Sequence, residues 1–155
     1  MKKRMQTLLL IVLSTMVMLS AGCTKNAALG LYNSVLMNIG DKTLTDSSRL
    51  AGRREFGSDT YVGTYSADVE DASFEEYLFG NTSIEREGGY KLSICADFAL
   101  TAGSCTLLLE RDGTDPEVLF EGSGTFAGEV ELGPGSAYFL LRADGATGTI
   151  DVEIV

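Results

Sequence analysis

The stretch Tyr90-Lys91-Leu92-Ser93-Ile94-Cys95-Ala96-Asp97-Phe98-Ala99-Leu100 decides the fold class. Leu92, Ile94, Ala96, Phe98 and Leu100 fall on one side of an extended chain, and Lys91, Ser93, Cys95, Asp97 and Ala99 on the other. A period of two belongs to a strand with one buried and one wet face. The same alternation returns at the C-terminus, where Gly148, Ile150, Val152 and Ile154 face in and Thr149, Asp151 and Glu153 face water.

Working outward, short extended segments and turn residues alternate from Thr60 onward. Tyr61 to Ala67 and Phe74 to Phe79 read as two strands, the second closed by Gly80-Asn81. Thr101-Ala102-Gly103 reads as a three-residue hairpin loop, with Gly103 free to adopt the left-handed conformation. Cys105 to Leu109 returns from it. Asp112 to Pro116 is a turn before Val118-Leu119-Phe120; Phe126 to Leu132, Tyr138 to Ala143 and Thr147 to Val155 follow, separated by Gly133-Pro134-Gly135 and Asp144-Gly145. That is about eight strands in 96 residues with nothing helical among them. The spacing predicts an all-β chain, an antiparallel β-sandwich of jelly-roll type with one face of each sheet buried. The expected core is Leu92, Ile94, Phe98, Leu107, Leu109, Val130, Leu140, Ile150 and Val152.

The N-terminus follows other rules. Lys2-Lys3-Arg4 precedes an uncharged, mostly apolar run from Leu8 to Leu19, short of the roughly 20 residues of a membrane span but right for a signal-peptide core. The run ends in Leu19-Ser20-Ala21-Gly22-Cys23. This order resembles the lipobox of bacterial lipoproteins, with Ser20 the one departure, since Leu is commoner there. The resemblance covers about 23 residues. It implies that residues 1–22 are removed and that Cys23 carries a diacylglycerol thioether; in an ordinary secretory signal Cys23 would be incidental. Two or three acyl chains anchor stably where one does not. Thr24, rather than Asp, leans toward outward display in a cell with two membranes. The expected localisation is the cell envelope, outside the cytoplasm.

Residues 23–58 read as a partly helical tether, and 59–155 as the β domain. Ala28, Leu31, Tyr32 and Val35 recur at helical spacing. Thr45 and Asp46 are candidate caps for a short helical turn through Arg54. On that turn Arg49, Arg53 and Arg54 share a face that either meets anionic headgroups or is simply solvated.

Charge and composition narrow the function. The 155-residue chain has 12 Lys and Arg, 22 Asp and Glu, and no His or Trp. The net charge is −10; loss of the leader leaves nine bases against 22 acids, a net −13. So acidic a surface repels phosphate backbones and excludes nucleic acid as a partner. Without His there is no histidine-dependent triad. The acids Asp68, Glu70 and Asp71, followed by Glu75 and Glu76, could offer oxygen ligands to Ca²⁺, but lack the alternation and central Gly of an EF-hand; they read better as surface, with no metal or other cofactor expected. Cys95 and Cys105 fall on opposite faces of the expected hairpin and read as free thiols.

The hairpin Val130 to Leu141 resembles the closing hairpin of secreted β-sandwich accessory modules, with a strand, a Pro-Gly turn and an aromatic strand. The expected function is non-enzymatic: an envelope lipoprotein whose sandwich binds a protein partner or scaffolds, with a carbohydrate-binding accessory module for cell-wall or dietary glycan as the alternative. Tyr61 and Tyr65, beside Asp68, Glu70 and Asp71, are the candidate binding residues. A glycan site would present two or three aromatic rings on one face or rim.

Overall fold

In a computed structural model, residues 44–83, 86–112 and 114–155 are described. Six strands form one antiparallel sheet: β1 (Arg53–Phe56), β2 (Gly63–Ser83), β3 (Lys91–Arg111), β4 (Glu117–Glu121), β5 (Gly124–Glu131) and β6 (Gly135–Ile154). Their order is β1-β2-β6-β3-β4, with β5 also paired to β3. No described residue is helical. The all-β antiparallel sandwich expected from the alternation is the fold found.

The strand count differs from the expected eight for a physical reason. The strands β2, β3 and β6 are 21, 21 and 20 residues long, and each is broken by bulges at its middle rather than by a hairpin. Register shifts lie between Val69 and Ala72 and between Ala72 and Phe74 on β2, and between Leu100, Ala102 and Ser104 on β3. Thr101-Ala102-Gly103 is therefore a corner, and so is Asp144-Gly145 on β6; the segments Tyr61–Ala67 and Phe74–Phe79 are joined through a third corner on β2. Some bulges and some tight turns use the same residues, because both can take positive φ. Here φ is 47° at Asp71, 72° at Gly103 and 55° at Gly145. The corners are neighbours across the sheet: a Cβ on Gly103 would overlap the Gly145 carbonyl, and the Gly145 N–H donates to Ser73 Oγ at 2.9 Å.

The corners fold the sheet into two leaves. The first contains β1, residues 63–69 of β2, 148–154 of β6, 91–100 of β3, and β5. The second contains residues 74–83 of β2, 135–143 of β6, 104–111 of β3, and β4. Strands that pass from one packed sheet to the next through bulges are the usual way to turn a sandwich corner. Side chains meet between the leaves: the rings of Phe98 and Phe120 lie 4.9 Å apart, and Phe56 meets Phe79 edge-on at 6.1 Å.

Between them lies one core. Leu92, Ile94, Phe98, Leu107, Leu109, Ile150 and Val152 are buried in it as expected, and Val130 packs against it half-buried. The inward set of β3 changes from even to odd numbers at the corner, from 92, 94, 96 and 98 to 105, 107 and 109. Leu140 departs from expectation. It is buried, yet lies between the core residues Phe139 and Leu141 and so points to the opposite face. Cys95 and Cys105 are free, as expected, for a different reason: they sit ten residues apart on one bent strand, the first exposed and the second buried. Burial pushes the Cys105 thiol up to about 12.

Ahead of β1, Asp46 does cap a turn. Its Oδ1 accepts from the Ser48 N–H at 2.8 Å and from the Ser48 hydroxyl at 2.7 Å, bonds that hold its carboxyl below the usual range. The turn does not continue as a helix. From Arg53 the chain pairs with the free edge of β2, so β1 lies inside the span read as tether. The helical spacing at 28–35, Cys23 and the leader lie outside the described residues.

Candidate functional site

The expected site residues take structural positions instead. Tyr61 and Tyr65 are 4% and 1% exposed: Tyr65 has inward parity on β2, and Tyr61 turns into the core from the turn just ahead of that strand. The Tyr61 hydroxyl donates to the Asn81 carbonyl at 2.9 Å, and the Tyr65 hydroxyl to Glu76 Oε2 at 2.8 Å. Burial raises both phenol pKa values, with the Glu76 bond adding to the rise at Tyr65. Both rings are covered by the core, so neither offers a face for stacking.

Asp68, Glu70 and Asp71 are exposed at or beside the β2 corner, where Asp71 takes the left-handed conformation and donates its N–H to Thr147 Oγ1 at 3.0 Å. Glu70 and Asp71 fall in the bulge, while Asp68 still pairs with Thr149. Glu75 and Glu76 point to opposite sides of the second leaf: Glu75 pairs with Arg142 on the surface, while Glu76 is buried. Among the described residues no three acids or thiols gather at metal-binding distance.

The three arginines do not share a face, because a strand separates what a helical turn would unite. Arg53 points outward to Glu55 at 2.5 Å. Arg54 points the other way, donating to the carbonyls of Thr45, Tyr77 and Leu78 and lying 4.6 Å above the Phe56 ring. Arg49 stands exposed on the preceding turn.

What the fold does assemble is a groove of about 590 Å³ at the end of the first leaf, where β1, the start of β2 and the end of β6 come together. It is lined by the apolar Phe56, Val62, Ile154 and Val155 and by the polar Glu55, Thr64, Lys91 and Glu153. Glu55, Thr64 and Glu153 are successive register partners across three strands and so stand in one row. Phe56 is 45% exposed but held in place, its edge on Phe79 and one face beneath the Arg54 guanidinium. Gly63 makes that placement feasible: a Cβ there would strike the Glu55 carbonyl and the Phe79 ring. The far wall carries Arg86, whose side chain is anchored by Asp59 at 2.7 Å and the Gly89 carbonyl at 2.7 Å and lies over the Tyr61 ring.

A fixed, half-exposed ring at a strand end, beside apolar side chains and with carboxylates, a hydroxyl and an ammonium also lining the groove, suits a ligand that is apolar on one face and polar at its edges. Sequence reasoning missed Phe56, Lys91 and Glu153. Phe56 fell in the segment read as tether, and the other two read as ordinary wet positions of their strands.

A second concave region of about 520 Å³ lies on the outer face of the first leaf and includes Ser66, Cys95, Asp97, Thr125, Asp151 and Glu153. It is acidic, and Asp97 stands directly opposite Asp151 in the register.

No family model matches the chain. No curated protein matches it either. Among solved structures it is similar to the first carbohydrate-binding module of BiXyn10A, at 11% identity over 72% of this chain and 94% of that one, with a TM-score of 0.37. It is similar also to the module CBM6cm-2 of Cellvibrio mixtus lichenase 5A in complex with cellotriose, at 21% identity, 74% and 92% coverage and a TM-score of 0.35. A third similar structure is TmCBM61 in complex with β-1,4-galactotriose, at 12% identity, 77% and 96% coverage and a TM-score of 0.32.

Proposed function

We propose that the protein is a non-catalytic carbohydrate-binding module, displayed outside a membrane by lipid on Cys23, with the groove at the end of the first leaf as its site. The observation that carries this reading is the Phe56 ring, half-exposed and held in place at a groove that Glu55, Thr64, Lys91 and Glu153 also line. A pyranose has an apolar C–H face and an equator of hydroxyls. Stacking the face on Phe56, at the end of the leaf, leaves the hydroxyls the groove's polar lining, the Glu55 and Glu153 carboxylates and the Lys91 ammonium, as partners. A ring already held in place loses little conformational freedom on binding.

Binding fits this groove better than hydrolysis. The groove is an open trough, and Glu55 is already engaged by Arg53. Glu55 and Glu153 are separated by the intervening Thr64 strand, so their backbones stand about 10 Å apart.

Titration calorimetry of the mature chain against a panel of β-linked oligosaccharides tests the reading. Binding to at least one is expected, with Phe56→Ala weakening it tenfold or more and with no release of reducing sugar. Absence of binding at millimolar ligand, or binding indifferent to Phe56→Ala, would sink it.

One observation favours a protein partner instead: Phe56 is the single exposed aromatic residue among the described residues, whereas sugar platforms commonly present two or three. Partner capture from the envelope that is lost in Phe56→Ala, with no sugar bound, would select that reading. Membrane display is tested separately. Mass spectrometry of the mature N-terminus is expected to find acylated Cys23, and Cys23→Ala to block leader removal. No described helix is long and apolar enough to cross a membrane.

A further inference from the structure

The second leaf has an outer face that the core does not use. Tyr77, Leu140, Leu108 and Val118 are successive register partners across its four strands. They form one apolar row about 14 Å long, three strand spacings. Their sequence neighbours Leu107, Leu109, Phe139 and Leu141 all lie in the core, so Leu108 and Leu140 must point away from it. Even so, Leu108 is only 5% and Leu140 only 2% exposed, while Val118 at the end of the row is 54% exposed. The Tyr138 ring flanks the row, edge-on to Tyr77 at 6.0 Å.

The N-terminal chain arrives at this face. Leu44, the first described residue, is 9% exposed. Thr45 exchanges two hydrogen bonds with Tyr77, the first member of the row: its N–H donates to the Tyr77 carbonyl at 3.1 Å, and its Oγ1 accepts from the Tyr77 N–H at 2.9 Å. Upstream, residues 26–40 carry no charge, and Ala28, Leu31, Tyr32 and Val35 recur at helical spacing. A helix over 27–37 would be about 16 Å long, the length of the row. The six residues 38–43 can reach about 20 Å, enough to lead from the far end of the row back to Leu44. An uncharged helix of this length is not stable alone in water and needs an apolar face to lie on.

We propose that residues 27–37 dock as an amphipathic helix across the row Tyr77–Leu140–Leu108–Val118, covering the outer face of the second leaf with the chain's own N-terminal segment. On the lipid-anchor reading, this sets the stand-off from the membrane. Undocked, residues 24–43 reach up to about 70 Å; docked, only residues 24–26 separate Cys23 from the domain, about 10 Å.

The test needs neither lipid nor sugar, so its failure is distinct from failure of the functional reading. In the unacylated mature chain with Cys23→Ser and Cys95→Ser, native maleimide labelling compares Leu108→Cys with Val118→Cys. Leu108→Cys is expected to label at least tenfold more slowly, and Leu31→Asp with Val35→Asp to speed it at least tenfold. As a second measurement that leaves the sheet unmutated, the same two Asp substitutions should raise the fluorescence of an apolar dye severalfold with the far-ultraviolet β signal unchanged. A Leu108→Cys rate and dye signal indifferent to the Asp substitutions would overturn the proposal. Protection that falls on dilution would overturn it too, by assigning the face to a second copy of the chain.

Discussion

The two leaves are built from the same three strands, yet their outer faces differ. On the first leaf the outward positions are Thr64, Ser66 and Asp68 on β2, Asp97 on β3, and Thr149, Asp151 and Glu153 on β6, all exposed. On the second, the outward Leu108 and Leu140 are as buried as much of the core. The sequence carries the distinction. Strict alternation up to Phe98 and after Gly148 marks a sheet wet on one side, whereas Leu107-Leu108-Leu109 and Tyr138-Phe139-Leu140-Leu141 are continuous apolar runs, the pattern of strands covered on both faces. The difference teaches that one strand can belong to two environments, and that a corner is where its pattern changes.

The sharpest way to break the comparison is to place a charge on each face. Ile150→Asp puts an unpaired carboxylate into the core of the first leaf, where Ile150 is fully buried, and should unfold a domain whose total stability is of the order of 5–15 kcal/mol. Leu140→Asp, on the outer face of the second leaf, should cost nearly as much, about 3 kcal/mol or more. Thr149→Asp, on the outer face of the first, should cost about 1 kcal/mol or less, through repulsion with its register partner Asp68. Urea denaturation followed by circular dichroism checks all three; equal losses for Leu140→Asp and Thr149→Asp would erase the distinction between the leaves.

The next test concerns the polar contact that joins the leaves. Glu76 is 3% exposed; its Oε2 accepts from the Tyr65 hydroxyl and its Oε1 from the Ala51 N–H at 2.5 Å. Glu76→Ala strands both donors and should cost about 1–3 kcal/mol. Tyr65→Phe should cost less, and the double variant less than the two losses added. Full additivity in a double-mutant cycle would mean that the bond does not couple the leaves.

The two thiols sharpen the comparison by pH. Native alkylation should label Cys95 on the wet face of the first leaf and spare Cys105 in the core, and denaturation without reductant should expose both. The folded thiol of Cys105 lies near 12 against an ordinary value of 9.0, so its contribution to stability is whole below about 9 and is lost as pH rises toward 12. Cys105→Ala, though less stable at neutral pH, should lose less stability than wild type between those values; parallel losses would refute the assignment.

The smallest effect is on the wet face. Asp97 opposite Asp151 places like charges on directly paired residues, which is unfavourable. Asp151→Asn should stabilise by about 0.2–1 kcal/mol, and by less in high salt. A loss of stability, or a gain that salt leaves untouched, would show that the pair is held by something other than mutual repulsion.

Much of the fold was legible because it rests on local pattern. Alternation located the extended segments and most of the core, and the absence of helical spacing after Thr60 excluded a βαβ arrangement. The candidate site was hardly legible. Tyr61 and Tyr65 looked available because a strand's pattern does not say which of its faces will be covered. Phe56 was hidden in a segment whose four residues pair as a strand only because β2 offers an edge. Arg49, Arg53 and Arg54 looked like one face under a helical period, and a strand period divides Arg53 from Arg54.

By itself, then, the sequence determined an antiparallel all-β chain, its acidic surface, and the residues that must leave water, since these follow from composition and from a period of two. Only the tertiary structure decided that Thr101-Ala102-Gly103 and Asp144-Gly145 bend strands instead of reversing them. A bulge and a hairpin call on the same glycine conformations, and the choice is made by which distant strand supplies the next hydrogen-bond partners. Here β6 pairs with both β2 and β3 on either side of the corners, which carries all three strands through from one leaf to the other.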